Sequence, residues 1–152
     1  MSTIAKTLIE AIKNEIEGRA FYLALAKKVK NPLVRRKILG LAEDELEHRE
    51  TLSRLYWAQT GSDVGDLASY EVHVDIPEVE SMSVTDLLVM AMNTEKETSE
   101  TYLRMSEATG DTKASAFLEY LSDFEQAHYE TLAGELEKIR STPGWEDQGY
   151  TE

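Results

Sequence analysis

The chain contains no cysteine. That absence excludes disulfides, a zinc ribbon, thiolate-held iron–sulfur centres and redox thiols, so any redox chemistry needs a metal held by nitrogen and oxygen, or a borrowed cofactor. Long apolar runs are missing as well. No stretch approaches the roughly 20 residues that cross a bilayer, and the start, MSTIAKTLIEAIKNEIEG, carries acidic residues where a signal peptide has an apolar centre. A cytoplasmic location with no membrane partner is the default expectation. Positive charge is scarce: 16 Lys and Arg stand against 29 Asp and Glu, for a formal net charge of -13. Such a balance argues against nucleic acid as a partner and for solubility or an attraction for cations. At 152 residues the chain is one domain by size, long enough to bury a core without covalent staples.

What is present is helical periodicity. Ile4, Leu8, Ile12, Ile16, Leu23 and Ala26 recur at three-to-four-residue spacing and predict a helix over about 3–30. Asn31-Pro32 reads as a cap followed by a first-turn proline, opening a second helix over 32–60 that Gly61 stops. Periodicity then fails from 61 to 83, where GSDVGD is turn-like and YEVHVDIPEVE alternates as a short extended segment broken at Pro77. This is a long crossover. Ser83 with Asp86 predicts the start of a third helix over 84–108, and Asp111 caps a fourth over 112–140. Pro143-Gly144 ends it, so residues 1–140 make the folded domain and 141–152 a short polar tail.

The chain repeats itself at a shift of 80 without a gap. Leu8 falls on Leu88, Ala11 on Ala91, Glu15 on Glu95, Tyr22 on Tyr102, Leu41 on Leu121, Glu45 on Glu125, and His48 on His128. Glu50-Thr51-Leu52 returns as Glu130-Thr131-Leu132, and the turns coincide, Asn31 on Asp111. A helical hairpin used twice and joined by a long connection gives an all-α four-helix bundle with pseudo-twofold symmetry.

A glutamate and a histidine three apart share a helix face, so Glu45 with His48, and Glu125 with His128, each aim at one spot. With 21 glutamates and three histidines, chance supplies roughly 0.4 such pairs, so one would mean little. Two at equivalent positions mean more. The bland alternative is an exposed Glu-rich helix face. Against it, Leu41 and Leu121 precede the pairs by a turn and Leu52 and Leu132 follow them, which puts the pairs on the apolar side. On the partner helices Glu15 and Glu95 each stand seven residues before a tyrosine, Tyr22 and Tyr102. Four buried carboxylates could not all remain ionised without partners, and two divalent cations would neutralise them. Oxygen ligands with one imidazole per ion suit iron or manganese.

The segments Glu15-IEGRAF-Tyr22, Glu45-LE-His48, Glu95-KETSET-Tyr102 and Glu125-QA-His128 make the chain resemble the rubrerythrin branch of the ferritin-like di-iron carboxylate superfamily, from Ile4 to Arg140. The resemblance implies a ferritin-like bundle holding two iron ions (manganese or zinc being the alternatives). It implies metal ligands Glu15, Glu45, His48, Glu95, Glu125 and His128. Glu45 and Glu125 would bridge, Glu15 with His48 serving one metal and Glu95 with His128 the other. The implied activity is reduction of hydrogen peroxide or dioxygen, with an external electron donor, in a homodimer whose hairpins pair within one chain or exchange between two. The alternatives are a ferroxidase or iron-storage protein and a non-redox, metal-stabilised scaffold. Rubrerythrins proper carry a cysteine-ligated rubredoxin iron centre, which this chain lacks, and tend to have a further glutamate where Thr98 stands here.

Other residues have two readings. Tyr22 and Tyr102 are either bundle tyrosines or groups that hydrogen-bond a ligand and offer a proton or electron near the metals. Glu17, Glu97, Glu50 and Glu130 read as exposed faces, with orientation of a ligand histidine as the minor alternative. His73, in the crossover, reads as a surface histidine. Lys27, Lys28, Lys30, Arg35, Arg36 and Lys37 surround the first turn, where they complement a helix C-terminus, or else dock an acidic electron donor.

Overall fold

The computed structural model describes residues 3–65 and 82–142. It has four helices: α1 (Thr3–Lys28), α2 (Pro32–Thr60), α3 (Val84–Ala108) and α4 (Thr112–Ser141). Helix α1 packs along α2 and α3 along α4, and the two hairpins face each other through α1 with α3 and α2 with α4. The chain thus forms a ferritin-like four-helix bundle of two hairpins. No helix among the described residues is long and apolar enough to cross a membrane. The extended segment and His73 expected in the crossover lie outside the described residues, as does most of the tail.

Local chemistry sets the helix ends. Asn31 Oδ1 accepts from the amides of Leu33 and Val34, at 3.0 and 3.3 Å, with Pro32 in the first turn. Gly61 takes the left-handed conformation at φ 70° and its amide donates to the Trp57 carbonyl at 2.8 Å, which closes α2. Ser83 Oγ accepts from the Asp86 amide at 3.1 Å, and Asp111 Oδ1 from Ala114 at 2.7 Å. Helix α1 stops at Lys28, two residues before the periodicity suggests. The Val29 amide bonds back to the Ala26 carbonyl, and Arg35 Nε donates to the Val29 carbonyl at 2.8 Å, so the chain tightens and turns there.

Two apolar clusters fill the bundle, one towards each end. The first gathers Tyr22, Leu25, Val29, Ile38, Leu41, Leu87, Leu88 and Leu132 near the 29–31 turn. The second gathers Leu8, Ile12, Leu52, Leu55, Tyr102, Leu118 and Leu121 near the 109–111 turn. On the α1 stripe Leu8, Ile12 and Ala26 are buried, while Ile4, Ile16 and Leu23 flank the clusters half-buried. Between the clusters lies a layer of buried charge. Ser99 and Ser122 clasp α3 to α4 at that level, each hydroxyl donating to the other's carbonyl, at 2.9 and 2.8 Å.

Leu8 and Leu88 are fully buried at equivalent positions but in different clusters. Truncating either to alanine should cost about 2–5 kcal/mol, measured by urea unfolding of each single variant, and the two losses should add because the residues belong to separate clusters. A loss under about 1 kcal/mol at either site would contradict this packing.

Candidate metal centre

The charged layer is built from all four helices. Glu15 comes from α1, Glu45 and His48 from α2, Glu95 from α3, and Glu125 and His128 from α4. None of the six is more than 5% exposed. One position on each of α1 and α3, and one turn on each of α2 and α4, therefore present carboxylates and imidazoles where a bundle ordinarily places leucine.

The six side chains form two groups that share two members. Glu15, Glu45, His48 and Glu125 bring one ligand atom each within 4.8 Å of one another, and so do Glu45, Glu95, Glu125 and His128. His128 Nδ1 lies 3.2 Å from Glu45 Oε1, 3.3 Å from Glu125 Oε2 and 3.6 Å from Glu95 Oε1. His48 Nδ1 lies 3.7 Å from Glu15 Oε1 and 4.0 Å from Glu125 Oε1. Proximity has not become hydrogen bonding, however. Among the described residues six buried side-chain atoms lack a hydrogen-bond partner, and each belongs to one of these six residues: Glu15 Oε2, Glu45 Oε1, His48 Nδ1, Glu95 Oε2, Glu125 Oε1 and His128 Nδ1. Buried polar atoms are normally paired, so six unsatisfied ones converging on one space call for a cation. Four carboxylates with two imidazoles and no sulfur fit iron or another hard-to-borderline divalent ion, and two such ions balance four negative charges.

The protonation of the metal-free cluster tells the same story. Burial pushes Glu15 up against the opposing pull of His48 and Tyr102, and pushes Glu125 well up, helped by Glu95. Burial would also raise Glu95, but its contacts with Glu125, His128 and Tyr22 outweigh that and hold it below the usual range. For His128 burial opposes the charged form, yet Glu125 and Glu95 hold the imidazolium up to about 11. Protons stand in where cations would.

The tyrosines cross over. Tyr22 on α1 donates to Glu95 Oε1 on α3, while Tyr102 on α3 donates to Glu15 Oε1 on α1 at 3.0 Å and approaches the Ala11 carbonyl at 3.2 Å. Each repeat's tyrosine thus orients the other repeat's glutamate. Burial, then the surrounding carboxylates, push both phenols well above their ordinary value, which keeps the donated proton on oxygen.

Three features at the site escape a reading by residue type. A Cβ on Gly18 would stand 3.2 Å from Glu45 Oε2, so a glycine lets this carboxylate lie against α1. Asp44 Oδ2 sits 3.1 Å from His128 Nε2. The Phe124 ring stands edge-on to His48, with centroids 4.5 Å apart. Only the mismatches between the repeats signalled them, Gly18 against Thr98 and Asp44 against Phe124. The other candidates fall away: Glu17, Glu50, Glu97 and Glu130 are exposed and Thr98 is half-buried. Half the basic cluster is occupied structurally. Lys28 donates to the Met82 carbonyl at 2.6 Å, Arg35 ties down the first turn, and Lys37 pairs with buried Glu135 at 2.6 Å.

Glu15, Glu125 and His128 bind protons more tightly folded than unfolded, so their stabilisation is complete below their unfolded values, 4.5 for the carboxyls and 6.5 for the imidazole. It is lost as pH rises through the folded values, last near 11 for His128. Glu95 acts oppositely, its contribution being lost only as pH falls below 4.5. The melting temperature of the metal-free protein should therefore fall from about pH 5 to about pH 9, while the rise in melting temperature on adding a divalent metal grows over that window. Scanning calorimetry on both forms checks this; a metal-free curve that rises with pH would overturn it. Gly18→Ala should keep helicity by circular dichroism and lower divalent-metal affinity, and an unchanged affinity would mean Glu45 relaxes freely.

The sequence matches the rubrerythrin family model over residues 6–136. Two solved structures are similar. One is a hypothetical protein from Pyrococcus furiosus, 31% identical over 91% of each chain with a TM-score of 0.73. The other, from Thermotoga maritima and provisionally assigned as a ferritin-like diiron-carboxylate protein, is 26% identical over 93% of this chain and 97% of that one, with a TM-score of 0.70. No curated protein matches the sequence.

Proposed function

Because the chain belongs to the rubrerythrin family, we propose that it is an oxidoreductase that reduces hydrogen peroxide or dioxygen at a di-iron centre, using electrons from an external donor. The observation that supports this most directly is the pair of buried four-residue groups with Glu45 and Glu125 in common. In this reading Glu15, His48, Glu45 and Glu125 would hold one ion, and Glu95, His128, Glu45 and Glu125 would hold the other. Two ferrous ions held there would supply one electron each, so that hydrogen peroxide takes up two electrons and two protons and leaves as two waters without releasing a hydroxyl radical.

The protein's own part is geometry and proton control. Tyr22 and Tyr102 act as positioning residues, each holding one oxygen of a terminal glutamate and leaving the other, Glu95 Oε2 or Glu15 Oε2, for a cation. Their phenols stay protonated, so the hydrogen bond persists across the working pH range. The apolar clusters above and below keep bulk water from the carboxylates, which strengthens their hold on a cation. Without cysteine the chain carries no thiolate-held electron relay, hence the external donor. As a homodimer, with hairpins paired within a chain or exchanged, it would present the same six side chains at each site.

Anaerobic loading with ferrous iron should give two ions per chain and a di-iron spectrum, and peroxide should oxidise the bound iron faster than free ferrous iron. Glu45→Ala and Glu125→Ala should each lose both properties. Retained peroxide reactivity without bound metal would sink the proposal, and a shell-sized particle by light scattering would point to iron storage.

A further inference from the structure

The two halves agree at every ligand position, which makes a disagreement beside the ligands informative. Asp44 stands one residue before Glu45, and its equivalent 80 positions on is Phe124. Each reaches the histidine of the opposite hairpin, with different chemistry. Asp44 Oδ2 is 3.1 Å from His128 Nε2. Phe124 instead meets His48 in a T-shaped ring contact at 4.5 Å, with a longer one to His128 on its own helix at 5.3 Å, and Tyr120 closes on the His48 imidazole with centroids 6.0 Å apart. Among the described residues the carboxylates within 4 Å of His48, those of Glu15 and Glu125, face its Nδ1, so none backs the outer nitrogen.

A carboxylate can only accept, so His128 Nε2 carries a proton and donates it to Asp44. That bond fixes the tautomer and the ring angle, leaves Nδ1 as the atom turned towards Glu45, Glu95 and Glu125, and makes the imidazole a better donor to a cation. The lysines sharing the groove with Asp44, Lys37 and Lys138, reach Glu135 at 2.6 and 3.3 Å, leaving the Asp44 carboxylate to the histidine. His48 has the aromatic rings of Phe124 and Tyr120 against it, and among the described residues no carboxylate at its outer nitrogen.

We infer that the two cation positions are inequivalent. The position completed by Glu95 and His128 has the higher affinity and fills first, with Asp44 as the positioning residue responsible; the position completed by Glu15 and His48 fills second and releases its ion more readily. This inference rests on the two-cation reading of the cluster above. It concerns the order and strength of loading, which neither the family nor the similar structures assign.

Repulsion between neighbouring cations separates two loading steps even in a symmetric site, so two steps alone decide nothing. The response to substitution does. Metal-free protein titrated anaerobically with Co2+, followed by visible absorption and calorimetry, should load in two steps. Asp44→Ala should weaken the tighter step by about 10–100-fold and leave the weaker one in place, with Asp44→Asn, which keeps an acceptor, falling between. Phe124→Asp, which offers His48 a carboxylate, should tighten the weaker step. Circular dichroism of each variant establishes that it is folded. A single step in the unsubstituted protein, or Asp44 variants that leave the tighter step unchanged or shift both steps equally, would overturn the inference while the two-cation reading stands. No Co2+ binding, or binding that survives Glu45→Ala with Glu125→Ala, would overturn both.

Discussion

The fold is organised around unsatisfied charge. Four glutamates and two histidines are held at mid-bundle with at most 5% exposure, and each keeps one buried atom without a hydrogen-bond partner. An apolar core of the same shape would be more stable for a metal-free protein, because removing a carboxylate from water without compensation is costly. The bundle tolerates this because the helices are long and the apolar clusters lie at both ends, each fastened by its own interhelical turn. The charged layer is a local destabilisation carried by a scaffold whose stability comes from elsewhere, and a bound cation would relieve it.

Symmetry governs how that layer is oriented. The crossed hydrogen bonds, Tyr22 to Glu95 and Tyr102 to Glu15, run between hairpins, so neither repeat can arrange its own terminal glutamate alone. Each half supplies the other's constraint. This makes the site a property of the assembled bundle, and explains why the tyrosines recur at fixed distance from the glutamates although that spacing does not bring them together within a helix. The departures from symmetry sit one layer out, at Gly18 against Thr98 and Asp44 against Phe124, where they change the surroundings of equivalent buried side chains without changing those side chains.

The same division runs through the surface charge. A net charge of -13 suggests a diffuse affinity for cations, yet the carboxylates that converge with the histidines are the few buried ones, while Glu17, Glu50, Glu97 and Glu130 are exposed despite recurring as faithfully. Recurrence therefore marks register, and burial marks the site. Three of the six basic residues near the first turn, Lys28, Arg35 and Lys37, are likewise committed to carbonyls and to Glu135, which gives that half of the cluster a structural role.

By itself the sequence determined the helices, their caps, the duplication and the residue types facing inward, because these depend on spacing along one helix and on chemistry a few residues away. Asn31 with Pro32, Gly61 and Asp111 could be read directly, and so could the two Glu-x-x-His pairs. Only the tertiary structure decided that each tyrosine serves the opposite repeat, that Gly18 makes room for Glu45, and that an aspartate stands at the outer nitrogen of His128 while the nearest ring to His48 is a phenylalanine. Those are contacts between side chains tens of residues apart. Their distances follow from how two hairpins settle against each other, and periodicity along the chain carries no record of that.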